Sequence, residues 1–297
     1  MREGNLETRG RRGSSLPMAR IAHLSDVHFG AHDPAVVAGA EAWLIAERPD
    51  LVVISGDFTQ RARVAQYREA GAFLDRLEAA GLKTLGVPGN HDVPLYDVLR
   101  RFARPLHRYR RFIDEDLCPW FESERLAVLG INTARSLTIK DGRISHEQMA
   151  MIRERFRGVP DDRTKILVTH HPLFAMPIGE EGELTKVVGR HEDALEAVCE
   201  AGVHILLAGH FHRTFSGSAR QMVRNAGPAL VIQAGTATSI RLREGEAQSF
   251  NLIHARRNDA VDLQVVAWDG AAFRGGSHAR FAFDGENWHS APAVAEA

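Results

Sequence analysis

The tetrapeptide Gly89-Asn90-His91-Asp92 closes the apolar run LKTLGV and offers an amide oxygen, an imidazole and a carboxylate at three consecutive positions. Gly and Asn tolerate left-handed backbone, so the stretch also reads as ordinary turn chemistry. The rest of the chain decides between the two. Asp26-Val27-His28 follows IAHLS, and Gly56-Asp57 follows LVVIS. His170-His171-Pro172 follows KILVT, and Gly209-His210-Phe211-His212 follows VHILLA. Each of these apolar runs delivers Asp, Asn or His at its end.

Carboxylates, imidazoles and an amide oxygen together suit Mn²⁺, Fe²⁺/Fe³⁺ or Zn²⁺. A thiolate site would need cysteine at these positions, and the only two, Cys118 and Cys199, lie elsewhere. Two such ions about 3.5–4 Å apart form a clamp for in-line displacement at phosphorus. A lone carboxylate such as Asp57 can bridge them. Asp26 and His28 are two apart and share one face of extended chain, as do His210 and His212. Glycines at 56, 89 and 209 permit tight turns out of the strands.

The elements that must position these residues alternate strand and helix. ARIAHLS (19–25), LVVIS (51–55), LKTLGV (82–87), LAVLGI (126–131), KILVT (165–169), VHILLA (203–208) and ALVIQA (229–234) read as strands. Asp33 caps a helix that opens at Pro34, and VAQYREAGAFLDRLEAA repeats apolar residues at helical spacing until Gly81 stops it. Ser145 and Gln148 make a capping box for SHEQMAMIRERF, and HEDALEAVCEA is helical. FNLIHA, the polar turn RRND and VDLQVVAWDG form an antiparallel end, so the sheets are mixed. The expected organisation is a disordered Arg-rich leader over 1–17, one α/β domain over 18–284, and a small, polar, fraying tail over 285–297. In open α/β sheets ligands bind beyond the carboxyl ends of the strands, where the Asp, Asn and His residues fall.

The 297 residues are 44% hydrophobic and 25% charged, ordinary for a soluble protein with a sizeable core. A net charge of -1 gives no global attraction to nucleic acid, and none is expected as a partner. Two cysteines far apart argue against a disulfide scaffold and fit a reducing, cytoplasmic setting. No apolar run is long enough to span a membrane, and the leader lacks the apolar core of a secretory signal. The stretch 99–117 carries six Arg with aromatics interleaved. It reads either as a basic lip for an anionic substrate or lipid headgroup, or as a solvated helix face with Arg stems over apolar surface. His23 reads as a core histidine, and Thr236 as either a mouth residue or part of a turn.

In order, Asp-x-His, Gly-Asp, Gly-Asn-His-Asp, His and Gly-His-x-His resemble the calcineurin-like metallophosphoesterase superfamily, with no signature residue missing between Asp26 and His212. The resemblance implies two mixed β-sheets packed as a sandwich flanked by helices, with two metal ions at one edge, iron and manganese or alternatively zinc. It implies one ion on Asp26, His28 and His212, the other on Asn90, His170 and His210, and Asp57 bridging both. His170 rather than His171 is then the ligand. His91 would stabilise the phosphate or protonate the leaving oxygen, with Asp92 orienting it, and Asn90, His91 and His212 would touch substrate. The full set, in a chain of this size, is similar to the bacterial class III cyclic nucleotide phosphodiesterases, which implies a small phosphodiester substrate such as 3′,5′-cyclic AMP, opened to 5′-AMP. Relatives with the same motifs cleave glycerophosphodiesters, nucleotide-lipid pyrophosphates or monoesters, and the metal ligands do not choose among them. A homodimer is compatible with the resemblance. A scaffold that had lost its chemistry would show decay at His91 or a ligand, and none is seen.

Overall fold

The computed structural model describes residues 18–292 except 139, 176, 179–182, 185–186, 224–225, 244 and 257–258. The leader therefore lies outside the described residues. In chain order the first half comprises β1 (Ala19–Leu24), α1 (Pro34–Glu47), β2 (Leu51–Ile54), α2 (Val64–Ala79), β3 (Thr84–Gly86), α3 (Val98–Ala103), α4 (His107–Phe112), β4 (Trp120–Glu122), β5 (Leu126–Ile131) and α5 (His146–Phe156). The second half comprises β6 (Thr164–Thr169), β7 (Pro177–Ile178), β8 (Glu183–Leu184), α6 (His191–Glu200), β9 (Ile205–Ala208), β10 (Phe215–Ser218), α7 (Ala219–Met222), β11 (Leu230–Gln233), β12 (Ser249–Arg256), β13 (Ala260–Trp268), β14 (Phe273–Phe283) and β15 (Trp288–Ala291).

Seven strands form one sheet in the order β15-β14-β13-β12-β1-β2-β3, and six form the other in the order β10-β11-β9-β6-β5-β4. Both are mixed. β1, β2 and β3 run parallel, while β12 lies antiparallel against β1. β5, β6, β9 and β11 are parallel, with antiparallel β4 and β10 on the edges.

The sheets stack because consecutive strand residues point to opposite faces and both faces are apolar. Ile21, Val53 and Leu85 pack inwards against Val128, Ile166, Val168, Ile205 and Ile232 of the facing sheet. Their neighbours Ala22, Val52 and Ile54 point the other way, onto α1 and α2 through Val36, Leu44, Phe73 and Leu77. On the second sheet Leu129, Leu167 and Leu206 face Ile152, Phe156 and Val198 of α5 and α6. The result is a helix–sheet–sheet–helix sandwich.

The caps form as their residue types dictate. Asp33 accepts from the N–H of Ala35 at 2.9 Å. Ser145 accepts from Gln148 N–H, while the Gln148 side chain accepts from Ser145 N–H at 3.0 Å.

Two expectations need correction. Within the tail expected to fray over 285–297, Trp288–Ala291 instead form β15, antiparallel to β14, and residues 293–297 lie outside the described residues. Trp288 is the cause: it is buried among the inter-sheet residues, and its indole N–H donates to the carbonyl of Pro228 at 3.0 Å. The Arg-rich stretch is not one solvated face. Arg104-Pro105 separates α3 from α4, and Arg101 turns inwards, 6% exposed. Its guanidinium donates to the carbonyls of Pro94 (3.0 Å), Ser136 (2.8 Å) and Thr138 (2.6 Å). Arg108 donates to the carbonyl of Ala62 at 2.7 Å.

Candidate metal centre

The carboxyl ends of β1, β2, β3, β6 and β9 meet at one edge of the sandwich, and each carries its donors in the loop that follows. The extended backbone expected at Asp26 and His28 and at His210 and His212 does not form, because the strands end at Leu24 and Ala208 and all four residues have positive φ. The two sheets are tied together there through Asp26. Its Oδ2 accepts from the hydroxyl of Ser25 (2.6 Å) and from the backbone N–H of His210 (2.9 Å). That leaves Oδ1 free to face His212 Nε2 at 3.1 Å and His28 Nε2 at 3.5 Å.

Asp57 is divided in the same manner. Oδ1 accepts from the N–H of His91 at 2.8 Å, while Oδ2 faces His170 Nε2 at 3.4 Å and His28 Nε2 at 3.7 Å. His170 donates its Nδ1 proton to the carbonyl of Ser55 at 2.7 Å, so Nε2 is presented to Asn90 Oδ1 at 3.1 Å and His210 Nδ1 at 3.3 Å. Gly89 must lack a side chain, since a Cβ there would stand 2.1 Å from Asp57 Oδ1.

The structure thus gathers Asp26, His28 and His212 in one group, and Asn90, His170 and His210 in a second, with Asp57 Oδ2 between them. The chemistry of these donors fits metal. His28 Nε2 faces His212 Nε2, and His210 Nδ1 faces His170 Nε2, each pair 3.3 Å apart. Two imidazole nitrogens held by one ion at about 2.0–2.1 Å in a tetrahedral site stand roughly 3.4 Å apart. Asp26 and Asp57 are fully buried, and burial alone would raise both carboxyls. The imidazoles around them, His212 and His170 foremost, outweigh it and hold both well below the usual range. His170 is raised to about 9, because the carboxylates of Asp57 and Asp26 outweigh its own burial. Two buried carboxylates that stay ionised require positive charge beside them.

His91 sits at the edge of this cluster with its ring 4.9 Å from that of His28, edge-on. Its Nδ1 lies 2.8 Å from the carbonyl oxygen of Gln60, to which it donates, leaving Nε2 as the free nitrogen. Asp92 does not orient that ring, contrary to the expectation. Its carboxylate accepts from the N–H of Phe58 (3.1 Å), Thr59 (2.9 Å) and Gly89 (2.9 Å) and from the Thr59 hydroxyl (3.0 Å). Asp92 is fully buried, and burial first, then the charge of Asp57, raises its carboxyl to about 6.

His171 stays beside the cluster. It hydrogen-bonds Thr133 Oγ1 through Nδ1 at 2.7 Å, and its ring lies 4.6 Å from that of His210. His23 is a core residue, bonded through Nε2 to the Ser55 hydroxyl at 2.9 Å and lowered by burial to about 3. Thr236 is structural: its hydroxyl donates to the carbonyl of Asp26 at 2.8 Å.

A cavity of about 760 Å³ opens over Asp57, Asn90, His91, His210 and His212. Lys140, Arg213, Arg241 and Arg243 line it, and sequence reading singled out none of them. They come from the loops after β5, β9 and β11, and only Arg213, next to Gly-His-Phe-His, had a signal in the chain. Ser25 and Gln60 were missed as well.

A nitrogen- and oxygen-donor site at the shared edge of two mixed sheets defines a metallophosphoesterase, a hydrolase of phosphoric esters. The comparison with known families agrees: residues 19–214 match the Calcineurin-like phosphoesterase model, and the chain belongs to that family. It is 26% identical over 220 residues to the 3′,5′-cyclic adenosine monophosphate phosphodiesterase CpdA of Escherichia coli K12, covering 67% of this chain and 73% of that protein. It is 24% identical over 226 residues to the glycerophosphodiester phosphodiesterase GpdQ of Enterobacter lignolyticus, covering 72% of this chain and 78% of that one. The purple acid phosphatase PPD1 from yellow lupin superposes with a TM-score of 0.65 at 15% identity. That superposition covers 87% of this chain and 53% of the lupin enzyme, so the chain spans about half of it, and the likeness is one of fold.

Proposed function

We propose that the chain hydrolyses small phosphodiesters at a pair of metal ions, with 3′,5′-cyclic AMP, opened to 5′-AMP, as the leading substrate. The observation that carries this reading is Asp57 Oδ2, which lies 3.4 Å and 3.7 Å from one imidazole of each donor group. Asp26, His28 and His212 would hold one ion and Asn90, His170 and His210 the other, with Asp57 placed between the two groups. Iron and manganese suit this donor set, with zinc as the alternative. When bound, the pair acidifies water and neutralises charge on the phosphoryl oxygens.

The chain's own residues supply the remainder. Lys140, Arg213, Arg241 and Arg243 draw the anionic diester into the cavity. Asn90, His91 and His212 border the cavity over the cluster and touch the phosphate there. Water adds to phosphorus and gives up a proton, the bond to the leaving oxygen breaks, and that oxygen takes a proton from the doubly protonated ring of His91 at Nε2 while Nδ1–H stays on the Gln60 carbonyl; the proton released by the water restores Nε2–H. Similarity to the Escherichia coli cyclic AMP enzyme supports the nucleotide assignment. A second reading, a glycerophosphodiester substrate, has support from the match to the Enterobacter enzyme over 72% of the chain. A cytoplasmic setting fits the two free cysteines, Cys118 and Cys199.

Hydrolysis of cyclic AMP with added Mn²⁺, beside bis-p-nitrophenyl phosphate, p-nitrophenyl phosphate and glycerophosphocholine, tests the reading. Release of 5′-AMP that is lost on chelation and in Asn90→Ala is the expected result. Turnover of the synthetic diester without cyclic AMP would sink the nucleotide assignment, and turnover of none would sink the catalytic one.

A further inference from the structure

We propose that the cleft rim made by the 95–102 segment and the loop at 137 seats on an anionic lipid surface, so that the active site opens against a membrane interface. Of the nine large apolar side chains exposed among the described residues, five lie at Leu95, Tyr96, Val98, Leu99 and Phe102, and a sixth is Leu137. Leu99 is 84% exposed and Leu137 86%. Isolated exposed apolar residues are ordinary on any protein; a cluster of this kind rimmed by polar groups marks a contact site.

The cluster is built. Arg101 lies buried beneath it, and its guanidinium ties Pro94, at the start of the first segment, to Ser136 and Thr138 on either side of Leu137. The structure thus buries a cation in order to hold two apolar tips beside each other in solvent. Leu95 and Tyr96 also line a small cleft with Asn90, His91, Lys140 and Arg241, so the rim is continuous with the site. Two of the remaining exposed apolar residues, Ile240 and Leu242, flank Arg241.

Charge selects the occupant. Arg61 stacks over Tyr96 at 5.1 Å, exposed Lys140 and Arg241 share a cleft with Leu95 and Tyr96, and the carboxylate within the segment, Asp97, is paired with Arg100 at 2.9 Å. Aromatic and Leu side chains ringed by Arg and Lys are what an anionic bilayer interface takes, the rings entering the headgroup level and the cations pairing with phosphates. A second copy fits worse, because a two-fold contact would set the same cations against themselves.

The test is sedimentation of the full chain with vesicles of phosphatidylglycerol in phosphatidylcholine, against phosphatidylcholine alone, comparing wild type with Leu99→Asp/Leu137→Asp. Residues 1–17 contain Arg too, but they are shared by both proteins, so the comparison isolates the rim. Wild type is expected to pellet with the anionic vesicles, with binding at least about tenfold weaker to neutral vesicles or in high salt. The double variant is expected to bind at least about tenfold more weakly while hydrolysing bis-p-nitrophenyl phosphate at the wild-type rate, which reports an intact fold. Absence of pelleting, equal binding by the variant, or a variant that turns a dimer into a monomer would each overturn the proposal; the last would assign the rim to a second copy.

Discussion

The backbone N–H of His91 donates to Asp57 Oδ1 at 2.8 Å, so the residue proposed to serve the leaving group also holds, through its main chain, the carboxylate that stands between the two donor groups. Only Oδ2 is then left for metal. Asp57→Asn places an NH₂ or a neutral oxygen where a charge is required. The expected result is a fall in bound metal, read by elemental analysis, and loss of turnover by a factor on the order of 10²–10³ or more. Full metal content with wild-type turnover would refute the bridge.

Asp92 acts on a different partner from the one its position suggests. It fastens the 57–59 loop to Gly89, and Asp92→Asn sets an NH₂ against backbone donors in a buried site. Stability is expected to fall by about 2–4 kcal/mol in denaturant unfolding. Well below the melting point the pH profile of kcat is expected to keep its wild-type shape, since the His91 ring is oriented by Gln60. A shifted profile would restore Asp92 to the proton chemistry.

Gly56 has φ +100°, and a Cβ there would stand 2.5 Å from His170 Nδ1. Gly56→Ala therefore strains the backbone and pushes the imidazole off its Ser55 carbonyl. Metal affinity is expected to drop by about 10–100-fold, the scale seen when a ligand loses its orienting partner. Titration of the metal-free protein would measure it.

His204 lies at the opposite end of the parallel strands from the site. It is lowered to about 4, by burial first and then by the charge of Lys165. The folded state prefers the neutral ring, so its contribution is intact above the unfolded value of about 6.5 and is lost as pH falls towards 4. Within that window the slope is up to about 1.4 kcal/mol per pH unit. His204 Nδ1 accepts from Lys165 N–H at 3.0 Å, and an asparagine oxygen can replace it. His204→Asn is expected to show a flatter decline of unfolding free energy between pH 6.5 and 4, followed by urea titration; an unchanged slope would refute the assignment.

The donors were legible because each follows an apolar run that can only be a buried strand, and strand ends are where such a fold exposes chemistry. Asp26, Asp57, Asn90, His170, His210 and His212 could be found that way, and so could the caps at Asp33 and Ser145. What could not be read was supplied by the main chain or by distant loops. Nothing in the residue Gln60 announces that its carbonyl will hold an imidazole, and nothing in Asp92 tells that three amides will claim it before His91 can. Trp288 shows the same limit at the chain end. The composition around it is that of a loose tail, and only the carbonyl of Pro228, 60 residues earlier, gives the indole a place to bury.

Among the described residues, eight that are not glycine have positive φ, and five of them are Asp26 (52°), His28 (50°), Asp57 (54°), His210 (84°) and His212 (57°). An Asp or His in left-handed backbone is held there against its own preference by the sheets on either side. A protein engineer asked only to make this backbone more robust would replace these residues with glycine or asparagine, and would be right by every local criterion. Screening for thermal hardiness alone would therefore strip the donors first, so the strain at this edge marks where robustness and chemistry make opposite demands on the same backbone.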